Sequence, residues 1–175
     1  MFSGDDIETI LKNIFEQART IFLKDGYHRT IVMLFKDKKP VELHELRIED
    51  HGQKYVVMRA LADEVTKHGA DAAIMIGEIW MAAYDPKHKY RRSADAPDRK
   101  EALAATLVRR EGDPIQLVSV IERGDAEIRL GDIQQQPGGA QFMFAPFYVA
   151  WGKEIPQEWV QAFETADRCQ SDAKK

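Results

Sequence analysis

Near the start of the chain apolar residues recur at helical intervals: Ile7, Ile10, Leu11, Ile14, Phe15, Ala18 and Phe22 fall on one stripe of a 3.6-residue turn. Ser3, followed by Asp5 and Asp6, offers a capping oxygen and first-turn acids, and Asp25-Gly26 stops the helix. The period then changes. Residues 30–35 are β-branched and aromatic, Lys36-Asp37-Lys38-Lys39-Pro40 breaks the run, and residues 41–46 resume it, which predicts a hairpin. Helical spacing returns over residues 53–68 in Val57, Ala60, Leu61 and Val65, with Gly69 where a left-handed cap residue belongs.

A long apolar strand, residues 72–81, follows at once and ends at Asp85-Pro86. A polar, basic loop runs from there to about Asp98. Three more extended segments, residues 101–109, 115–122 and 126–130, are separated by Glu111-Gly112-Asp113-Pro114 and Gly124-Asp125, as in an antiparallel meander. Residues 134–139, Gln134-Gln135-Gln136-Pro137-Gly138-Gly139, read as a flexible connection. The aromatic residues 142–151 surround Pro146, which excludes an uninterrupted central strand and predicts a kinked edge strand or two short extended pieces. Pro156 opens a last helix that presents Trp159, Phe163 and Ala166 to the core.

This order predicts an α+β fold: a single, mainly antiparallel or mixed sheet of about 5–7 strands with three helices packed on it. Residues 1–167 form one domain, and residues 168–175 a polar tail. The 175 residues suffice to bury a core without a staple, and the one cysteine, Cys169, cannot make a disulfide within the chain. No basic start with an apolar run suggests export, and no apolar run approaches a membrane span, so the expectation is a cytoplasmic protein that touches no membrane. A net charge of −4 argues against nucleic-acid binding by overall electrostatics. His28, His44, His51, His68 and His88 are scattered singly, so no metal and no other cofactor is expected, and the tail thiol is idle.

Candidate chemistry centres on Glu78. Strand alternation puts it on the same face as Ile74, Ile76 and Trp80, where a carboxylate away from water needs a cation or a donor. The following loop offers Lys87, Lys89, Arg91, Arg92, Arg99 and Lys100. If the long strand pairs with the 101–109 segment, Arg99 and Glu101 fall near Tyr84 at the sheet end, and a guanidinium can grip the acid through its planar fork. Glu78, Arg99 and Glu101 are therefore the catalytic candidates, and Trp80, Tyr84, Arg91 and Arg92 the binding candidates. The alternative is a register-fixing ion pair, or a carboxylate turned outward by a bulge at Gly77.

Two stretches resemble known families. Residues 65–79 are similar to the helix-to-strand junction of JAB/MPN-type metal-dependent proteases and RadC proteins. Gly77 and Ile79 stand where that family has zinc-binding histidines, so the resemblance implies no zinc activity. Glu78-Ile79-Trp80 followed by Pro97-Asp98-Arg99-Lys100-Glu101 resembles uncharacterised bacterial proteins with a Glu-Trp strand and a Pro-Asp-Arg-x-Glu pattern; this implies a shared architecture and no activity.

Three functional readings remain. The preferred one is a non-catalytic domain acting by association, as a homo-oligomer or with a protein partner, through the aromatics Phe142, Phe144, Phe147, Tyr148 and Trp151 or an open sheet edge. The second is a hydrolase with Glu78 as base or ligand and Arg92 or Arg99 as an anion clamp. The third is phosphate or nucleic-acid binding through loop 87–100, with Tyr90 stacking on a base.

Overall fold

A computed structural model describes residues 6–48, 51–88, 91–137, 141–161 and 164, with the side chains of 51, 52, 141 and 142 outside that description. Expectations for Ser3, Lys89, Tyr90, Phe163, Ala166, Cys169 and the tail lie outside the described residues.

Helix α1 (Ile7–Asp25) forms where the stripe predicts it. Asp6 is its cap: Oδ1 accepts a 2.7 Å hydrogen bond from the Thr9 backbone N–H, which holds the Asp6 carboxyl below its usual value. Gly26 closes the helix at φ 78°, its N–H donating to Phe22 O. Strands β1 (Thr30–Lys36) and β2 (Lys39–Leu46) form the hairpin, turned by Asp37 and Lys38 at positive φ. After α2 (His51–His68) and the left-handed Gly69 comes β3 (Ala72–Met81), then β4 (Lys100–Arg109), β5 (Ile115–Arg123), β6 (Ile128–Leu130), β7 (Gln134–Pro137) and α3 (Ala145–Ala150).

The seven strands make one sheet in the order β2-β1-β3-β4-β5-β6, with β7 beside β6 on the same edge of β5. Every pairing is antiparallel. The fold is α+β, as the pattern predicts. β3 and β4 pair without a slip from Ala72↔Arg109 to Met81↔Lys100, so there is no bulge at Gly77.

Three layers follow from the two periods. The α1 stripe packs on one face of the sheet through Phe35, Ile74, Ile76, Leu103, Leu107 and Leu117. On the other face, Met58, Leu61 and Val65 of α2 and Phe147 of α3 cover Val32, Leu34, Ala73 and Val108. Fully buried Phe15, Phe22, Phe35 and Phe147 each contribute about 1.5–3 kcal/mol by leaving water.

Two segments differ from expectation. Residues 134–137 are a strand, not a flexible connection. Gln136 Nε2 donates to Gln116 Oε1 at 2.7 Å and Gln116 Nε2 to Thr106 Oγ1 at 3.0 Å, a polar ladder that satisfies amides inside the sheet face. Residues 141–150 are helical, a 3-10 turn leading into α3, rather than a kinked strand. Pro146 sits in the first helical turn, where its missing N–H has no partner to lose, and Phe144, Phe147, Tyr148 and Trp151 follow a spacing of three and four. Residues 157–161 are helical after Pro156, and Trp159 packs beside Tyr55, Ala145 and Ile155. Among the described residues no helix is long and apolar enough to cross a membrane.

Candidate functional site

The α1 face of the sheet continues past the point where the helix stops. Alternation then places Glu78 and Trp80 of β3, Glu101 of β4 and Arg123 of β5 on a polar ledge beyond Ile76, Leu103 and Ile121. The Glu78 side chain is 29% exposed. Its Oε1 accepts the His28 backbone N–H at 2.8 Å, and its Oε2 lies 3.4 Å from Arg123 Nη2. Arg123 is a hub: Nε donates to Glu101 Oε2 at 2.6 Å, Nη1 to Gly26 O at 3.4 Å, and the guanidinium lies over Phe22, 5.9 Å from the ring centre. One cation thus ties the C-terminal turn of α1 to three strands. Being part-exposed, each pair contributes on the order of 0.2–1 kcal/mol.

The acid is paired, but by Arg123 and not by the loop that the sequence points to. The loop arginines have other uses. Arg99 lies over the Trp80 ring, 5.1 Å from its centre. Arg92 Nε donates to Asp95 Oδ2 at 2.7 Å, while His88 Nδ1 at 2.7 Å and Arg91 Nη2 at 3.7 Å meet Asp85 Oδ2. The hydrogen bond to His88 holds the Asp85 carboxyl below its usual value, and that from Arg92 does the same for Asp95. Asp98 accepts the Ala83 N–H and so braces the loop's start. With Arg91 and Arg92 paired to acids, the loop offers an anion fewer free guanidinium groups than its composition suggests.

Trp80 is 44% exposed and Tyr84 76%. Arg29 Nη1, just before β1, donates to both Glu45 oxygens and extends the row of charges to β2, and the hydrogen bond to Glu45 pushes the Arg29 guanidinium up from its ordinary value. The described aromatic side chains of the 142–151 segment do not join this surface. Phe144 and Phe147 are fully buried, Tyr148 and Trp151 half-buried, and the Trp151 indole N–H donates to Ala70 O at 2.7 Å. A groove of about 520 Å³ lies between α2, α3 and the last helical residues, lined by Arg59, Ala62, Thr66, Pro146 and Ile155. Glu78 is not part of its wall.

Pattern reading of single histidines misses one constellation. Glu42 and His44 on β2 meet Glu64 and His68 on α2, with His68 Nε2 3.3 Å from Glu42 Oε2 and 3.2 Å from Glu64 Oε2. The signal lies in the mixed pairs, Glu-x-His at strand spacing and Glu-x-x-x-His at helix spacing. Among the described residues no group of three or more His, Cys, Asp or Glu side chains is placed to hold a metal ion.

Residues 2–167 match the family described as Bacteriophage lambda protein ea47. The chain is also 38% identical over 65 residues to "Protein ea47" of Escherichia phage lambda, a stretch covering 37% of this chain and 16% of that relative. It therefore spans a minor part of the relative's length. No solved structure matches. These findings place the likeness in a phage family and show no relation to JAB/MPN-type proteases.

Proposed function

The chain belongs to the Bacteriophage lambda protein ea47 family, and we propose that it acts without catalysis, by pairing with a second copy through the ledge at the open end of β3 and β4. The observation that carries this reading is Trp80, a large ring left exposed on the sheet face yet pinned by Arg99. Trp, Tyr and Arg dominate the energetics of protein contacts, and a pre-positioned ring loses little entropy on docking. Charge favours a second copy as the partner. In the strand order β2-β1-β3-β4-β5 the ledge carries Glu45, Arg29, Glu78, Glu101 and Arg123, with an acid at one rim and a guanidinium at the other. Turned about a two-fold axis, such a row sets Glu45 against Arg123 and Arg29 against Glu101 of the second copy.

Catalysis by Glu78 draws no support from its surroundings, because both of its oxygens already accept from protein groups and it borders no groove wall described above. The test is light scattering on the full chain from about 1 µM to about 200 µM, a span that brackets a weak specific contact. The expected result is a monomer–dimer equilibrium that Trp80→Ala weakens at least about tenfold, as loss of a central aromatic does. A strict monomer across the range overturns the proposal, as does a dimer indifferent to Trp80→Ala.

A further inference from the structure

The two faces of the sheet are covered unequally. Six strands lie abreast, and at the usual strand spacing they span about 24 Å, of which one helix shades about 10 Å. On one face α2 and α3 share the cover and reach as far as Leu46 of the edge strand β2. On the other face, among the described residues, α1 is the one helix, and it lies over β3, β4 and β6. The strip of β1 and β2 beside it stays open. Ile31 and Met33 are half-buried there, and Leu43, which pairs with Met33, is 58% exposed.

Helix α1 has two unlike flanks outside its core stripe. Glu8, Lys12, Glu16 and Arg19 recur at helical spacing on one of them. Glu8 meets Arg109 and Arg19 Nη2 donates to Gly131 O at 3.3 Å, which turns this charged flank toward β4 and β6. Thr9, Asn13, Gln17, Thr20 and Ile21 make the other flank, which therefore borders the open strip. All five are exposed and none is charged; Ile21 is 47% exposed. Solvent faces of helices ordinarily carry charge, whereas the centres of protein contacts are depleted of it. Lys24 closes this flank at the last turn of α1, and Glu45 closes the strip at the same end.

We propose that this flank and this strip form a second self-contact, made face to face rather than at the open end of the sheet, in which α1 of each copy lies along Ile31, Met33 and Leu43 of the other. A ridge beside a trough fits its own copy when turned about a two-fold axis along their boundary. The turn keeps the two ends level, so Lys24 of one copy arrives at Glu45 of the other. A helix from another protein could cover the strip but would leave the uncharged flank of α1 in water; a second copy covers both. With 19 residues α1 is about 28 Å long, and two strands are about 10 Å wide, so flank and strip together give roughly 600 Å² on each copy, the size of a weak specific contact.

The test is sedimentation equilibrium of the full chain carrying Trp80→Ala, which disables the ledge, from about 0.1 mM to about 1 mM, the range in which so small a contact associates. The expected result is a monomer–dimer equilibrium that Ile21→Lys or Leu43→Lys weakens at least about tenfold and that Val56→Lys, at an exposed position of α2, leaves unchanged. Mixing Ile21→Lys with Leu43→Glu recovers the association that neither shows alone, because an ammonium on one copy then faces a carboxylate on the other. Both positions are exposed, and circular dichroism checks that the variants fold. A chain that stays monomeric to about 1 mM overturns the proposal and leaves the strip to a helix of another protein. An association indifferent to both Ile21→Lys and Leu43→Lys overturns it equally. Trp80 lies outside this contact, so failure of the ledge in the intact chain leaves these outcomes as they are.

Discussion

The two ends of the β3–β4 ladder share one register and one backbone geometry, yet they live in different surroundings. At the Ala72–Arg109 end both faces are covered, Ile74 and Leu107 by α1, Ala73 and Val108 by α2 and α3. At the Met81–Lys100 end α1 has already stopped, and the same face carries Glu78, Trp80 and Glu101. The difference lies in which helix reaches, not in the strands. The covered end holds the fold by apolar burial, which is large and needs no particular partner. The open end holds by pairs of charges, which contribute little energy but fix where each side chain stands. That end is left available for contact with another surface.

The contrast is broken most severely at the covered end. Phe147→Ala, which empties a fully buried site between α2 and the sheet, is expected to lower stability by about 3–5 kcal/mol, read as a lower urea midpoint at unchanged slope. A loss below about 1 kcal/mol would mean that α3 does not seal that face. Gly77 marks the passage between the two ends. A Cβ there would stand 2.8 Å from Thr30 Oγ1 on the neighbouring strand, so Gly77→Ala is expected to cost about 1–3 kcal/mol. The double variant with Thr30→Ala, which removes that hydroxyl, should recover most of the loss, and simple additivity would show that the clash is not the cause.

Much of this was readable in the residues. The α1 stripe, the hairpin, Gly69 as a cap and the long β3 all show as clear periods, because each element buries one face or both and the apolar pattern records it. Residues 134–137 were not readable as a strand, since three glutamines carry no apolar alternation; what holds them is the backbone pairing with β5 and the Gln136–Gln116 hydrogen bond, visible only when β5 lies alongside. The aromatic segment misled through Pro146, which forbids a central strand yet fits a helix start equally well. At the site, the inward face of Glu78 follows from strand alternation alone. Its partner Arg123 does not, since 45 residues separate the two and only the placing of β5 beside β4 brings the guanidinium within reach.

Effects at the open end are smaller and depend on salt. Arg123→Ala removes the cation shared by Glu78 and Glu101 and the link to Gly26 O. A loss of about 1 kcal/mol is expected, shrinking as ionic strength rises, because the guanidinium is part-exposed and screened. Glu78→Gln should cost less than this, as the amide oxygen still accepts the His28 N–H. A larger loss for Glu78→Gln than for Arg123→Ala would place the organising role on the acid instead of the hub.

The smallest effect belongs to the loop that follows the open end, and its sign is set by the two lowered carboxyls. Asp85 is held down first by its hydrogen bond to His88, and Asp95 by that from Arg92. A carboxyl lowered in the folded chain stabilises it fully above its ordinary value and ceases to do so as pH falls through the lowered one. The loop should therefore keep its shape down to about pH 4, near the ordinary aspartate value, and loosen only below it. Carboxyl titration by nuclear magnetic resonance reads this directly, with Arg92→Ala returning Asp95 to the ordinary range and leaving Asp85 in place. Midpoints for both acids at their ordinary value in the intact chain would mean that the loop's pairs hold nothing. Arg91 and Arg92 would then be free to meet an anion, and the pairing that occupies them would be lost.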